Sequence, residues 1–177
     1  MRKVILGLSL ICVLGIVAWI KPSSAAKEEI KWLSLQQAEE NNKKLQKPIL
    51  IDLYTDWCGW CKVMDKQTYA NKQVAAYIMD KFYPVKLNAE QRQAIVFDGK
   101  SYKFNSSYKT HDFAIYLTNG QLSYPTTVIL PGNGSMPQAI PGFLKPREIE
   151  PIVKYFGEGK FGKESFTDFD KKLKKSW

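Results

Sequence analysis

The 177-residue chain is 45% apolar and 13% aromatic, which excludes a disordered protein, and its length suits one well-buried domain and excludes two of comfortable size. Its formal charge is +9, from 26 basic and 17 acidic residues. Charge alone is a poor indicator of nucleic-acid binding, and no such module is recognisable, so we expect no nucleic-acid partner. We interpret the basic surface as solvated, with attraction to anionic membranes or acidic partners as the alternative.

Residues 1–26 have the layout of an export signal. They contain a basic start at Arg2-Lys3, an apolar core over residues 4–20 and small residues at a cleavage site over 24–26. The core is longer than most signal cores and short for a membrane span, so an uncleaved anchor stays open. We expect an exported protein, periplasmic or anchored facing the periplasm, where an oxidising environment lets a cysteine pair cycle through a disulfide.

Four elements are predicted between the leader and residue 90. Apolar residues at helical spacing cover Ser34–Lys47, with Ser34 as the N-cap. The β-prone run Ile49–Tyr54 predicts a strand covered on both faces, as strands of parallel sheets are. A long helix is expected over Val63–Lys81 and a second strand over Phe82–Asn88.

The motif Trp57-Cys58-Gly59-Trp60-Cys61-Lys62 lies between the first strand and the long helix. In this context a Cys-x-x-Cys pair indicates redox activity. Residues three apart in the first turn of a helix share one side, so the two sulfurs can reach disulfide geometry. The helix N-terminus favours a thiolate at Cys58, whereas Cys61, one turn further in, is expected to be more shielded. Cys58 is therefore predicted to attack and Cys61 to resolve.

Two other interpretations of the cysteine pair are weaker. A structural zinc site needs about four ligands, and the only other Cys and His are Cys12, in the leader, and His111. A purely structural disulfide that closes so short a loop would stabilise the fold weakly. We therefore expect redox chemistry and no metal.

Two charged residues interrupt the predicted strands. Asp52 lies six residues before Cys58, and a buried carboxylate is costly unless it has a role or a partner. Beneath the cysteines its pKa would rise, and it could take the proton from Cys61. Lys86, in the second strand, could pair with it. The alternatives are an Asp52 that faces solvent and a Lys86 whose ammonium reaches water.

Beyond residue 90 the predicted elements are short. Asp98-Gly99, within Ile95–Phe104, predicts a tight hairpin. A short helix is expected over Asp112–Thr118, and His111 at its start is interpreted as an ordinary surface residue. Tyr124–Leu130 predicts a strand whose leading proline is placed where cis peptide bonds occur.

The C-terminal part contains a weak strand, a helix and a tail. The strand is expected over Gln138–Phe143 and the helix over Pro146–Phe156, with a proline near its start. The tail, residues 158–177, is basic and dotted with aromatic residues, so we expect it to pack onto the domain.

Taken together, these residues resemble the thioredoxin family over roughly Lys31 to Phe156. The resemblance implies an α/β thioredoxin-like fold, with a central mixed β-sheet flanked by helices. In thioredoxins an Asp and a Lys at the places of Asp52 and Lys86 form a buried pair under the active site. The family's cis-proline loop, which offers backbone to the substrate, matches Tyr124-Pro125, and its last-strand glycine beside the substrate groove matches Gly142.

The chain departs from thioredoxin in two places. The dipeptide between the cysteines is Gly-Trp and not Gly-Pro, and because this dipeptide tunes the reduction potential, the direction of electron flow is open. About twenty extra residues form an insertion between the third strand and the cis-Pro loop, at about 90–120. The expected divisions are therefore a signal peptide or anchor (1–26), a thioredoxin-like domain (27–157) and a tail (158–177).

The function that follows is that of an exported protein-thiol:disulfide oxidoreductase, acting as a reductase through Cys58 and Cys61. A disulfide oxidase or isomerase is the alternative, as is a thioredoxin-fold module that binds a partner or copper, for which His111 and Met64 are the available extra ligands. We expect a monomer without metal or organic cofactor, protein substrates, and a membrane-borne redox partner. The residues predicted to contact substrate surround the cysteines: Trp57, Gly59, Trp60, Tyr124, Pro125, Gly142 and Phe143.

Overall fold

The computed structural model describes residues 29–132 and 134–177, so the predicted export signal lies outside the described residues. The helices are α1 (Leu35–Lys44), α2 (Gly59–Met64), α3 (Lys72–Lys81), α4 (Asp112–Leu117), α5 (Pro146–Gly157) and α6 (Phe166–Lys172). The strands are β1 (Ile49–Tyr54), β2 (Tyr83–Asn88), β3 (Ile95–Phe97), β4 (Lys100–Tyr102), β5 (Phe104–Asn105), β6 (Thr110–His111), β7 (Thr126–Leu130) and β8 (Gln138–Pro141). Within these ranges, no helix has the length and apolar character that a membrane crossing requires.

Four strands form the central sheet, in the order β2-β1-β7-β8. β1 and β2 are parallel, whereas β7 runs antiparallel to both β1 and β8. The predicted mixed sheet is confirmed. The segment at residues 90–120 therefore follows the second strand, β2, and not a third, because the segment ahead of α1 contributes only an isolated bridge from Leu33 to Val85.

Both faces of the sheet are covered, since alternate strand residues point to opposite sides. Ile49, Ile51 and Leu53 belong to one core with α1 and α4, whereas Leu50 belongs to a second core with α2, α3 and α5. Burying each such aliphatic side chain is worth roughly 1.5–3 kcal/mol. The same alternation directs Asp52 to the face covered by α2.

The helix predicted over Val63–Lys81 is interrupted. After α2 the chain forms a π-helical turn, Asp65–Tyr69, and α3 then begins afresh at Lys72. Asn71 causes the break, because it adopts an extended conformation and its side chain accepts hydrogen bonds from the first backbone N–H groups of α3. The predicted single helix is therefore wrong.

Residues 90–120 form two short hairpins and α4. β3 pairs with β4 around Asp98 and Gly99, which both have positive φ angles, of 50° and 72°. Such angles are those of the tight turn that an Asp-Gly pair favours, so this predicted hairpin is confirmed. The second hairpin, β5–β6, has no counterpart among the predicted elements.

His111 is buried, with 1% of its surface exposed, so its interpretation as a surface residue is wrong. Its Nδ1 accepts a hydrogen bond from the Phe113 backbone N–H at 3.1 Å, which caps α4. Its Nε2 then donates to the Gln93 carbonyl at 3.1 Å. Burial lowers the pKa of His111. Both ring nitrogens therefore serve the local structure.

The C-terminal tail packs onto the domain, as predicted. α6 contacts α5, and the Trp177 ring lies 5.5 Å from that of Tyr77 on α3. The fully buried Glu150 of α5 accepts hydrogen bonds from the backbone N–H groups of Ser176 and Trp177. This carboxylate fixes the last two residues against the helices.

Candidate active site

The cysteine pair lies at the start of α2, just after β1. A disulfide joins the two sulfurs at 2.06 Å, and the Cα atoms are 5.3 Å apart. Cys58 is the N-cap of α2, and its Sγ accepts a hydrogen bond from the Cys61 backbone N–H at 3.0 Å. Because N–H groups at a helix start stabilise a negative sulfur, this geometry favours a thiolate at Cys58 once the pair is reduced.

Burial does not distinguish the two cysteines. Each has 4% of its surface exposed, so the expectation that Cys61 is more shielded is wrong. The turn is closed by a hydrogen bond from the Cys58 N–H to the Thr55 carbonyl at 3.2 Å, which keeps Cys58 within the packed surface. The predicted roles of attacking and resolving sulfur therefore depend on the N-cap position of Cys58.

Asp52 is a buried carboxylate beneath the helix that carries the cysteines. It has 1% of its surface exposed, and its sheet neighbours are Lys86 on β2 and Thr127 on β7. Lys86 Nζ lies 2.8 Å from Asp52 Oδ2, whereas Oδ1 is buried without a hydrogen-bond partner among the described residues. Burial raises the pKa of Asp52 to about 6 against the opposing effect of Lys86. Asp52 thus faces the core and not solvent.

Lys86 is shared between two carboxylates. Besides Asp52 it forms an ion pair with Asp65, at the start of the π-helical turn. Burial lowers the pKa of Lys86, but the two carboxylates together raise it by more, so the ammonium stays charged. Sequence reasoning missed Asp65. Its spacing of four residues from Cys61, one turn along the expected helix, is the signal that could have found it.

An aromatic pair lines one side of the cysteines. Trp57 has 67% of its surface exposed, and its ring meets that of Tyr124 edge-on at 5.9 Å. The Trp57 indole N–H donates to Glu90 Oε1 at 3.0 Å, and the Tyr124 hydroxyl lies 3.4 Å from Thr110 Oγ1. Glu90 and Thr110 both belong to residues 90–120, so this segment supports the aromatic pair. Neither was predicted, because only the folded chain brings them to the motif.

The other predicted contact residues lie close by in the fold. Trp60 has 62% of its surface exposed, and its ring centroid is 5.6 Å from that of Phe143. The Tyr124–Pro125 peptide bond is cis, and the Pro125 carbonyl accepts a hydrogen bond from the Gly142 N–H at 2.8 Å. Gly142 has a φ of +97°, a conformation that favours glycine.

Gly59 has no such constraint, because its φ angle is not in the positive range, and a Cβ atom there would meet no atom within 4 Å. The two extra ligands considered for copper are both buried. Met64 is fully buried in the core, and His111 uses both ring nitrogens in hydrogen bonds. Across residues 29–132 and 134–177, no cluster of three or more His, Cys, Asp or Glu side chains could hold a metal ion.

A family model described as Thioredox_DsbH, a protein of unknown function (DUF255), matches residues 22–177. The chain belongs to this family. Among curated proteins, the thiol:disulfide interchange protein DsbD of Vibrio vulnificus (strain YJ016) is 31% identical over 88 residues, which cover 41% of this chain and 15% of DsbD. The uncharacterized protein B0495.5 of Caenorhabditis elegans is 34% identical over 59 residues, 33% of this chain and 8% of that protein. The chain thus spans only 8 to 15% of these two relatives.

Solved structures share the architecture over most of the chain. A DsbH oxidoreductase superposes with a TM-score of 0.54 at 18% identity, covering 81% of this chain and 93% of that protein. A thioredoxin-fold protein from Helicobacter pylori gives 0.53 at 16% identity, covering 84% and 85% of the two chains. A thioredoxin from Thermus thermophilus gives 0.50 at 12% identity, covering 76% and 91%. The sheet and its helices therefore form a thioredoxin fold, which confirms the predicted resemblance.

Proposed function

We propose that the protein is an exported protein-thiol:disulfide oxidoreductase that acts as a reductase through Cys58 and Cys61. The observation that carries the proposal is a disulfide at the start of α2, above a strand whose buried carboxylate faces that helix. The match to the family model supports the proposal. The structural likeness of this chain to a DsbH oxidoreductase and to a thioredoxin-fold protein also supports it. The partial match to a thiol:disulfide interchange protein points to the same chemistry.

The reaction proceeds in two exchange steps. The Cys58 thiolate attacks one sulfur of a substrate disulfide, so a mixed disulfide forms and the other substrate sulfur leaves as a thiolate. Cys61 then transfers its thiol proton to Asp52 and attacks Cys58 Sγ, which releases the second substrate thiolate. The substrate gains two electrons, and the protein ends with the Cys58–Cys61 disulfide. A pKa of about 6 leaves Asp52 ionised at neutral pH and able to accept that proton.

The charges clustered at Lys86 support the reductive direction. Asp52 and Asp65 share a single cation, Lys86, so this cluster has a negative formal charge. A negative charge nearby disfavours a thiolate and hence the reduced form of the pair. A protein whose reduced form is less stable is a stronger reductant. Strong oxidants show the opposite, a highly stabilised thiolate.

Substrates would be protein disulfides that lie against the rim formed by Trp57, Trp60, Tyr124 and Phe143, with the backbone at Tyr124-Pro125 and Gly142 available for pairing. No metal or organic cofactor takes part in these steps. The protein would act as a monomer in the periplasm, free or anchored, and a membrane-borne redox partner would return it to the dithiol state.

Serine variants of the two cysteines test the proposal. Cys58→Ser should abolish disulfide reduction, because the attacking sulfur is lost. Cys61→Ser should accumulate mixed disulfides with substrate proteins, visible on non-reducing gels and absent from the Cys58→Ser control. If Cys61→Ser forms no mixed disulfide while Cys58→Ser does, the assigned roles are reversed. If the wild-type protein reduces no disulfide, the proposed function is wrong.

A further inference from the structure

The ammonium of Lys86 lies over two aromatic rings and forms ion pairs with two carboxylates. Its Nζ is 5.2 Å from the centroid of the Trp32 ring and 5.0 Å from that of Tyr54. Asp52 and Asp65 bind the same ammonium. A cation within about 6 Å of an aromatic face is attracted by the ring quadrupole. Four side chains therefore determine where this one charge resides.

Trp32 reaches this cluster from the segment ahead of α1. The segment is held to the edge of the sheet by a hydrogen bond from the Leu33 N–H to the Pro84 carbonyl at 2.8 Å. The Trp32 ring also meets Tyr69, at the end of the π-helical turn, edge-on at 5.1 Å. Contacts on two sides fix the ring over Lys86, although the segment is far from the cysteines in sequence.

We propose that Trp32 is a positioning residue for Asp52, because it holds the Lys86 ammonium at that carboxylate and so sets the strength of the base that receives the Cys61 proton. The inference rests on the proposed function, in which Asp52 accepts that proton. Trp32 acts through Lys86 and does not itself take part in the exchange steps.

The two carboxylates offer Lys86 different environments. The Asp52 side chain is 2% exposed and that of Asp65 is 41% exposed, so an ammonium that moves toward Asp65 moves toward water. The π face of Trp32 opposes this movement. Without the Trp32 ring, the ammonium lies less closely at Asp52, which loses part of its counter-charge. Burial, the largest influence on the pKa of Asp52, is then opposed less by Lys86, so that pKa rises further.

Other titratable groups at Asp52 do not change this direction. Lys86 from β2 and Asp65 from the π-helical turn carry the charges that act on it. Tyr69, from the same turn, and Tyr54, on β1, stay neutral, since burial raises the pKa of each above its ordinary value. Removing the Trp32 ring should therefore raise the pKa of Asp52.

The test is a carbon NMR titration of the Asp52 carboxyl group in the disulfide form, assigned with Asp52→Asn. Trp32→Leu, which keeps an apolar side chain and removes the π face, should raise the Asp52 pKa by roughly 0.5 unit. Trp32→Phe, with a weaker π face, should give a smaller rise. The matched control is Trp177→Leu, which removes a ring lying 5.2 Å from the Lys154 ammonium, the same distance as at Lys86. That control should leave the Asp52 titration unchanged.

In Trp32→Leu, the acid limb of the pH–rate profile should move to higher pH together with the Asp52 pKa. The rate measured is that of insulin reduction, with dithiothreitol as electron source. An unchanged pKa in Trp32→Leu, or in Trp32→Phe if the leucine variant does not fold, overturns the inference. A raised pKa without movement of the acid limb also overturns it, because Asp52 would then not be the base. If the wild type reduces no insulin, the proposed function fails by itself, and the NMR comparison still shows whether Trp32 holds Lys86.

Discussion

Replacing Asp52 by asparagine should stabilise the protein at neutral and alkaline pH. A carboxyl pKa that is higher in the folded than in the unfolded protein means that folding favours the protonated form. The stability linked to this proton is complete below the unfolded value of 3.8 and is lost as the pH rises through about 6. Above that pH the wild-type protein bears the cost of an ionised, buried carboxylate, which asparagine does not have.

The size of the effect follows from the pKa difference. A rise from 3.8 to about 6 is about two pKa units, and each unit corresponds to about 1.4 kcal/mol, so the gain at alkaline pH should approach about 3 kcal/mol. Lys86 keeps Asp65 as a partner in the variant, which limits the cost of losing Asp52.

Urea unfolding of the disulfide form measures this difference directly. Wild type and Asp52→Asn should differ most at about pH 8 and little at about pH 4, where the side chain at position 52 is neutral in both folded proteins. The control for loss of one negative charge is Asp80→Asn. Asp80 is an exposed carboxylate near the end of α3, ahead of β2 in the chain. An Asp52→Asn variant no more stable than wild type at about pH 8, or a difference independent of pH, would refute the reasoning.

Three further predictions concern single substitutions and their controls. Asp65→Asn should shift the acid limb of the pH–rate profile to lower pH, because the charge of Asp65 raises the pKa of Asp52; an unchanged limb would contradict this. Gly142→Ala should lower the free energy of unfolding by about 1–3 kcal/mol because of the positive φ, while Gly59→Ala, without that strain, should not; equal losses would contradict this. Glu90→Ala removes the hydrogen-bond acceptor of the Trp57 indole, so kcat/KM for insulin should fall about three- to tenfold. The kcat/KM for a small disulfide substrate should be unchanged. Glu90→Gln, which keeps an acceptor oxygen, should have a kcat/KM for insulin close to that of the wild type.

The central strands and the motif were predictable because their signals are local. Ile49–Tyr54 is apolar on both faces. The turn from β1 into α2 places Cys58 and Cys61 at the start of a helix, as their spacing of three residues predicted. The carboxylate at Asp52 was noticeable since it interrupts an apolar strand, and Lys86 stands out for the same reason.

Other parts of the site depend on contacts that local sequence does not encode. Asp65 reaches Lys86 where the helix changes to a π-helical turn, a change that apolar spacing did not reveal. Trp32 and Glu90 reach the site from segments on either side of it. His111 was misjudged because an isolated histidine has no periodic signal, and its burial follows from the way residues 90–120 fold.

The reduction potential of the Cys58–Cys61 pair tests the proposed direction of electron flow most directly. The purified protein would be equilibrated against a dithiothreitol or glutathione series, with the thiol content measured at each step. A negative charge cluster beneath the pair predicts a value near that of thioredoxin, about −270 mV, as expected of a reductant. A value near that of the oxidant DsbA, about −120 mV, would contradict the reductive assignment, and the absence of any reversible two-electron couple would contradict the enzyme itself.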